Sequence, residues 1–169
     1  MVTLSINYER GAIAPQILAP GFKICSKTYL QSPGSHIFPN IDATYWSDPV
    51  DDEGSRKWVW MQDGASSHTA AATTAYLDKQ LGRRRWIRDW PPSSPDLNPL
   101  DFGFWPILKE AVAKMAPQSI PRMKACVIKA CSALKLSLIQ KTIAEVLGRL
   151  RLLIEGEWRA FEYKLKSKQ

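Results

Sequence analysis

Cysteine and histidine are scarce in this chain, and long apolar runs are missing. Its 169 residues include three cysteines and two histidines. Cys25, Cys126 and Cys131 are an odd number without regular spacing, which argues against a disulfide framework. Cys126 and Cys131 fall five apart on a predicted helix, about 140° apart around its axis, so they do not act as a pair. All three are expected to be buried or inert thiols in a reducing compartment. So few soft ligands also argue against a zinc centre. No apolar stretch approaches the ~18 residues of a membrane span. The opening Met1-Val2-Thr3-Leu4-Ser5-Ile6 lacks the basic leader of a signal peptide, so no membrane or secretory role is expected.

What is present is enough for a core. Hydrophobic residues make up 45% of the chain and include seven tryptophans, which argues against wholesale disorder. The net charge of +7 is unevenly placed. Residues 1–82 carry 6 Lys+Arg against 8 Asp+Glu, and residues 83–169 carry 17 against 8, so the second half is the basic one. A basic half fits a polyanionic partner such as nucleic acid, or simply a solvated helix face.

Val2 to Tyr8 alternates apolar and polar residues, as a half-buried strand does. Glu9-Arg10-Gly11 is a turn, and Ala12 to Leu18 a second strand, giving a hairpin that needs a larger sheet to join. Ser26 to Gln31 could start a short helix. Residues 32–57 hold three prolines, two glycines and five acids, which interrupt any period and predict a long irregular loop. Asp51, Asp52 and Glu53 read there as a solvated acidic patch.

The stretch from Trp58 to Lys109 carries the chemistry. Trp58 to Gln62 has the length of a buried strand and ends on a carboxylate, Asp63. Ser66 or Ser67 can cap a helix running from about His68 to Leu81, stopped by Gly82. Trp86 to Trp90 predicts another strand. Pro91 to Pro95 is rigid and extended, and Asp96-Leu97-Asn98-Pro99 is a turn. Asp101 opens a helix to about Ala116, with Pro106 near its first turn. Ser119 is an N-cap for a helix to about Leu134, and Ser137 to Gln140 reads as a capping box. The last helix places Ile139, Ile143, Val146, Leu150, Leu153, Ile154 and Trp158 on one apolar face. Lys141, Arg149 and Arg151 lie largely off that stripe, leaving core-covering, phosphate-contacting and membrane-surface roles open.

Strand, carboxylate, helix, strand and a carboxylate on a helix can bring two distant acids to one edge of a sheet. Such acids can hold paired Mg²⁺ or Mn²⁺ ions for phosphoryl displacement. The surrounding residues are more specific. Met61-Gln62-Asp63-Gly64-Ala65-Ser66-Ser67-His68-Thr69 and Trp90-Pro91-Pro92-Ser93-Ser94-Pro95-Asp96-Leu97-Asn98-Pro99-Leu100-Asp101 resemble two motifs of the mariner-type transposases, members of the DDE/D superfamily. Phe104-Trp105 and Leu108-Lys109 fit the helix that follows.

The resemblance implies an α/β, RNase H-like mixed sheet with flanking helices. Residues 1–116 would form a partial catalytic domain and 117–169 its C-terminal helical segment. It makes Asp63 and Asp101 the second and third catalytic carboxylates and metal ligands, with Mg²⁺ or Mn²⁺ as cofactor. His68, Asp96 and Asn98 would support them, His68 as a brace and Asp96 as a turn former. DNA is the implied partner, with phosphate contacts from Arg83, Arg84, Arg85 and Arg88. A homodimer and a nuclear location are further expectations. Position 64 is Gly where the family commonly has Asn, and 66 is Ser where Pro is common. The family's first carboxylate precedes the hairpin, on the central strand of the sheet, and no counterpart lies in this sequence. The expectation is therefore an incomplete sheet and a degenerate catalytic fragment, or a DNA-binding remnant that does not cut.

Overall fold

The computed structural model describes residues 2–9, 11–18, 21–32, 58–83 and 85–155. The predicted irregular loop, apart from Ser32, lies outside these residues, as do Arg84 and the last helix beyond Glu155. Packing divides the chain into two units, one of Met1–Ile17 with Ser94–Gln169 and one of Leu18–Ser93.

In the first unit, β1 (Val2–Asn7) and β2 (Gly11–Ile17) form the predicted antiparallel hairpin. Gly11 begins β2 with φ of 88°, a left-handed conformation suited to glycine. The register slips between Thr3 and Ser5, where two β2 residues oppose one on β1. Pro15 falls in that bulge, where its missing N–H costs least. The alternation of β1 turns Leu4 and Ile6 toward the helices, and Leu4 is 7% exposed.

Those helices follow a single π turn, Leu100–Phe104, which runs directly into a helix, Trp105–Lys114. The Trp105 N–H reaches the Leu100 carbonyl, five residues back, so the turn is wider than an α turn. Pro106 sits at the start of the following α-helix, where its missing N–H is tolerated. Ser119 caps the next helix, Ile120–Ser132, by accepting from the Arg122 N–H at 3.3 Å, as predicted. The predicted capping box at Ser137 does not form. The last helix, Leu136–Glu155, starts one residue before it, with the Leu138 and Ile139 amides donating to the Lys135 carbonyl. Leu4, Leu108, Ala130 and Cys131 form the buried centre of this unit. Ile154, predicted on the apolar stripe, is 70% exposed, while Arg149, predicted off it, is only 17% exposed.

In the second unit, α1 is Ser26–Ser32, α2 is Ser66–Thr69 and α3 is Ala71–Leu81. The later helices are numbered α4 (Trp105–Lys114), α5 (Ile120–Ser132) and α6 (Leu136–Glu155). The single helix predicted over 68–81 is therefore broken at Ala70, whose ψ of 140° is extended. Neither Ser66 nor Ser67 caps it; Ser67 is buried and its carbonyl accepts the Thr73 hydroxyl at 2.7 Å, tying α2 to α3. Gly82 ends α3 with φ of 72°, as expected of a C-terminal glycine. The two strands predicted at 58–62 and 86–90 reduce to one parallel bridge between Trp60 and Trp86. Val59 and Ile87 are exposed, so these segments are not the doubly covered strands their composition implies. Cys126 and Cys131 are buried and Cys25 is exposed, and all three are free.

The π turn approaches α6 closely at Gly103. A side-chain methyl there would fall well inside contact distance of Thr142 Cγ2. Thr142 cannot easily rotate away, because its hydroxyl donates to the Leu138 carbonyl at 2.9 Å and it is 6% exposed. Gly103→Ala should therefore destabilise the chain by about 1–3 kcal/mol. Thermal melts should show the loss, and Thr142→Ser, which removes the opposing methyl, should restore part of it.

Candidate active site

The position of Asp63 is set by the bridge three residues before it. The Trp60 N–H donates to the Arg85 carbonyl at 2.7 Å, and the Ile87 N–H donates to the Trp60 carbonyl at 2.9 Å. Beyond the bridge the chain turns into α2, and the Asp63 side chain folds onto that turn. Its Oδ1 accepts the Ala65 N–H at 3.0 Å and lies 2.5 Å from His68 Nδ1. The same His68 nitrogen is 3.2 Å from the Asp63 carbonyl. The Asp63 side chain is 43% exposed, so it is held on one oxygen yet open to solvent. A methyl group at Gly64 would meet Trp90 only at 3.9 Å, so crowding does not dictate glycine there.

Behind His68 is a polar relay that no local sequence signal announced. Gln62 Oε1 accepts the Tyr29 hydroxyl at 2.7 Å and the Trp60 indole N–H at 3.2 Å. Its amide nitrogen donates to the His68 carbonyl at 3.1 Å. The Tyr29 ring packs on His68 with centroids 4.3 Å apart. Burial, and then the negative charge of Asp63, push the Tyr29 hydroxyl well above the ordinary tyrosine pKa. Asp63, His68, Thr69, Thr74, Ile87 and Arg88 line a cavity of about 240 Å³.

The predicted phosphate-contacting arginines have different surroundings. Arg83 is exposed. Arg85 lies 5.8 Å from the Trp58 ring centroid, and Arg88 lies 4.9 Å from that of Trp86. Arg88 is also paired with Asp78, which accepts the Trp86 indole N–H at 3.1 Å as well. The Arg88 guanidinium holds the Asp78 carboxyl below its ordinary range.

Asp101 belongs to the other unit. The proline-rich corner turns through Leu97 and Asn98, whose amides donate to Ser94 and Pro95 carbonyls at 3.2 Å each. Asn98 is 9% exposed and does two things. Its Oδ1 accepts the Leu100 N–H at 3.1 Å, and its Nδ2 donates to Asp101 Oδ2 at 2.9 Å. Asn98 thus forms the turn and orients the carboxylate. Asp96 contributes its backbone carbonyl, which accepts Arg149 Nη1 at 3.1 Å. Arg149 also lies 3.7 Å from the Phe102 ring centroid and 3.6 Å from Glu145 on its own helix. It braces the corner from α6, a role that its place off the apolar stripe had obscured.

Asp63 and His68 are therefore brought together in one unit, and Asp101, Asn98 and the Asp96 carbonyl in the other. Among the described residues no group of three or more His, Cys, Asp or Glu could hold a metal ion. Nor is any described helix long and apolar enough to cross a membrane.

No family model matches the sequence. It is 23% identical over 108 residues to the Tcb1 transposase of Caenorhabditis briggsae and 26% identical over 108 residues to the Tc1 transposase of Caenorhabditis elegans. Each alignment covers 64% of this chain and 38% of the relative. Among solved structures, the fold matches the Mos1 transposase paired-end complex with a TM-score of 0.76 at 19% identity, covering 95% of this chain and 44% of that one. The Mos1 mariner catalytic domain matches with a TM-score of 0.74 at 19% identity, over 94% of this chain and 74% of the domain. The chain is similar to the mariner/Tc1-type transposases in sequence and in fold. Its fold is the mixed α/β, RNase H-like fold of their catalytic domain. It spans under half the length of the transposases it matches. The same Mos1 domain has been solved with Mn and with Mg, each together with raltegravir.

Tyr29 gives a pH signature. Its hydroxyl ionises in the unfolded chain near pH 10 but much later in the folded one. Stability is untouched by this group below about pH 10 and falls above it by roughly 1.4 kcal/mol per pH unit. Tyr29→Phe should flatten that alkaline loss in denaturant titrations, while costing about 0.5–1.5 kcal/mol at neutral pH for the hydrogen bond to Gln62.

Arg149→Met should cost about 1–3 kcal/mol by leaving the Asp96 carbonyl without its charged donor. Amide exchange should accelerate at Leu97, Asn98, Asp101 and Phe102 but not in the β1–β2 hairpin. Arg149→Lys should recover part of the protection.

Proposed function

We propose that this chain is part of a transposase catalytic domain that cleaves and joins DNA strands with Mg²⁺ or Mn²⁺. The observation that carries the reading is Asp63. It is a solvent-open carboxylate fixed on one oxygen by a backbone N–H and a histidine, at the edge of a cavity. Asp101, oriented by Asn98, is the other carboxylate on which the proposal rests. Carboxylate oxygens suit these hard ions. Bound metals supply activation of the attacking oxygen and charge relief at the leaving one. The protein's own part is to hold the carboxylates still, and His68 and Asn98 do that through the contacts described.

DNA is the proposed partner. Transposon DNA is present in the Mos1 paired-end complex. Arg83, Arg84 and Arg85 would supply phosphate contacts, while Arg88 would have to share its charge with Asp78. Homodimer formation and a nuclear location belong to the same proposal. A second reading is a DNA-binding module that does not cut. The basic balance of residues 83–169, with 17 Lys+Arg against 8 acids, favours DNA contact whether or not cleavage follows.

Nicking of supercoiled DNA in Mg²⁺ or Mn²⁺ tests the first reading. Asp63→Asn and Asp101→Asn should each reduce nicking at least ~100-fold, since metal-ligand loss removes several kcal/mol of transition-state stabilisation. Salt-sensitive DNA binding without nicking in the wild-type chain would select the second reading instead.

A further inference from the structure

Between Glu110 and Glu145 the sequence holds no acid at all, yet it carries Lys114, Arg122, Lys124, Lys129, Lys135 and Lys141. Lys114 is neutralised by Glu110 at 2.6 Å, and elsewhere Arg149 pairs with Glu145 and Arg88 with Asp78. Arg122 and Lys129 have no ion-pair partner among the described residues. Both are exposed on α5. Seven residues apart, they stand on one face two turns from each other, about 10.5 Å along the axis. Ala125 lies between them, so nothing bulky blocks a close approach. With Met115 and Cys126 these residues line a cavity of about 440 Å³.

We propose that this face of α5 is a DNA-backbone contact surface, with Arg122 and Lys129 as its two phosphate-binding residues. It rests on the reading that the chain engages DNA and adds a surface separate in sequence from Arg83–Arg88. Charge complementarity identifies the occupant: unpaired cations in an acid-free segment attract a polyanion. Their separation is on the scale of the ~12 Å major groove, so they can take phosphates on its two sides. Between them Met115, Ala125 and Cys126 offer no strong hydrogen-bonding group to read a base. The contact is therefore to the backbone and independent of sequence.

The test is fluorescence anisotropy of the full chain on two unrelated short duplexes, across roughly 50–200 mM salt. The double variant Arg122→Gln/Lys129→Gln should make the log–log salt slope shallower by about 1.8, equally on both duplexes, because each lost phosphate contact removes about 0.9. Both side chains are exposed, so its melting temperature should match the wild type. An unchanged slope, in a chain whose binding still responds to Arg83→Gln/Arg85→Gln, overturns this surface and leaves the DNA reading standing. A wild-type chain that binds no DNA overturns that reading and the surface with it. Polyglutamate bound as tightly as DNA, with the same loss in the double variant, overturns the assignment to DNA.

Discussion

The Leu18–Ser93 unit depends on one exchange of backbone hydrogen bonds, between Trp60 and the Arg85–Ile87 segment. Two such bonds do not make a sheet, and the flanking residues are too exposed to bury one. They are enough to fix where the chain leaves the bridge, and Asp63 follows within three residues. Everything around the carboxylate then serves to hold it: the Ala65 amide, the His68 ring, and Gln62 with Tyr29 behind them. Ala65 and His68 come from the α2 turn itself, and Tyr29 is brought to Gln62 from α1 by packing. A carboxylate held on one oxygen and open on its exposed side is suited to accept a ligand with little rearrangement.

The corner that carries Asp101 uses a different constraint. Here a run of prolines limits the backbone, and Asn98 closes the turn with its own side chain. The helix that follows does not begin as a regular α-helix. It opens with a π turn and becomes α-helical only at Trp105, just before Pro106. That wide turn brings Gly103 against Thr142, and α6 in turn sends Arg149 back to the Asp96 carbonyl. The corner is thus held from within by Asn98 and from outside by α6. This explains why a half-buried arginine stands on α6.

Much of this was legible before any coordinates. The alternation in Val2–Tyr8, the glycine at 82, the Ser119 cap and the proline near the start of α4 are local signals, and local physics decided them. The two motifs around Asp63 and Asp101 were also readable, because their residues form turns with their near neighbours. The failures share a cause. The strands at 58–62 and 86–90 were read from their length and apolar, aromatic content, but their pairing stops at the one Trp60–Trp86 bridge and Val59 and Ile87 stay exposed. The Ser137 capping box had the right residues, yet the helix had already begun at Leu136. Ile154 had the right spacing for a core face, but nothing covers it among the described residues.

What the sequence by itself determined is the chemistry: which carboxylates stand beside which turn-forming residues, and where the basic charge gathers without acids. Those facts follow from neighbours within a few positions. Only the tertiary structure decided that Tyr29 lies behind His68, that Arg88 spends its charge on Asp78, and that Arg149 braces the corner at Asp96. Each of these joins residues from ten to fifty-three positions apart. Side-chain periodicity predicts which way a residue faces, but a partner so distant in the chain is chosen by packing.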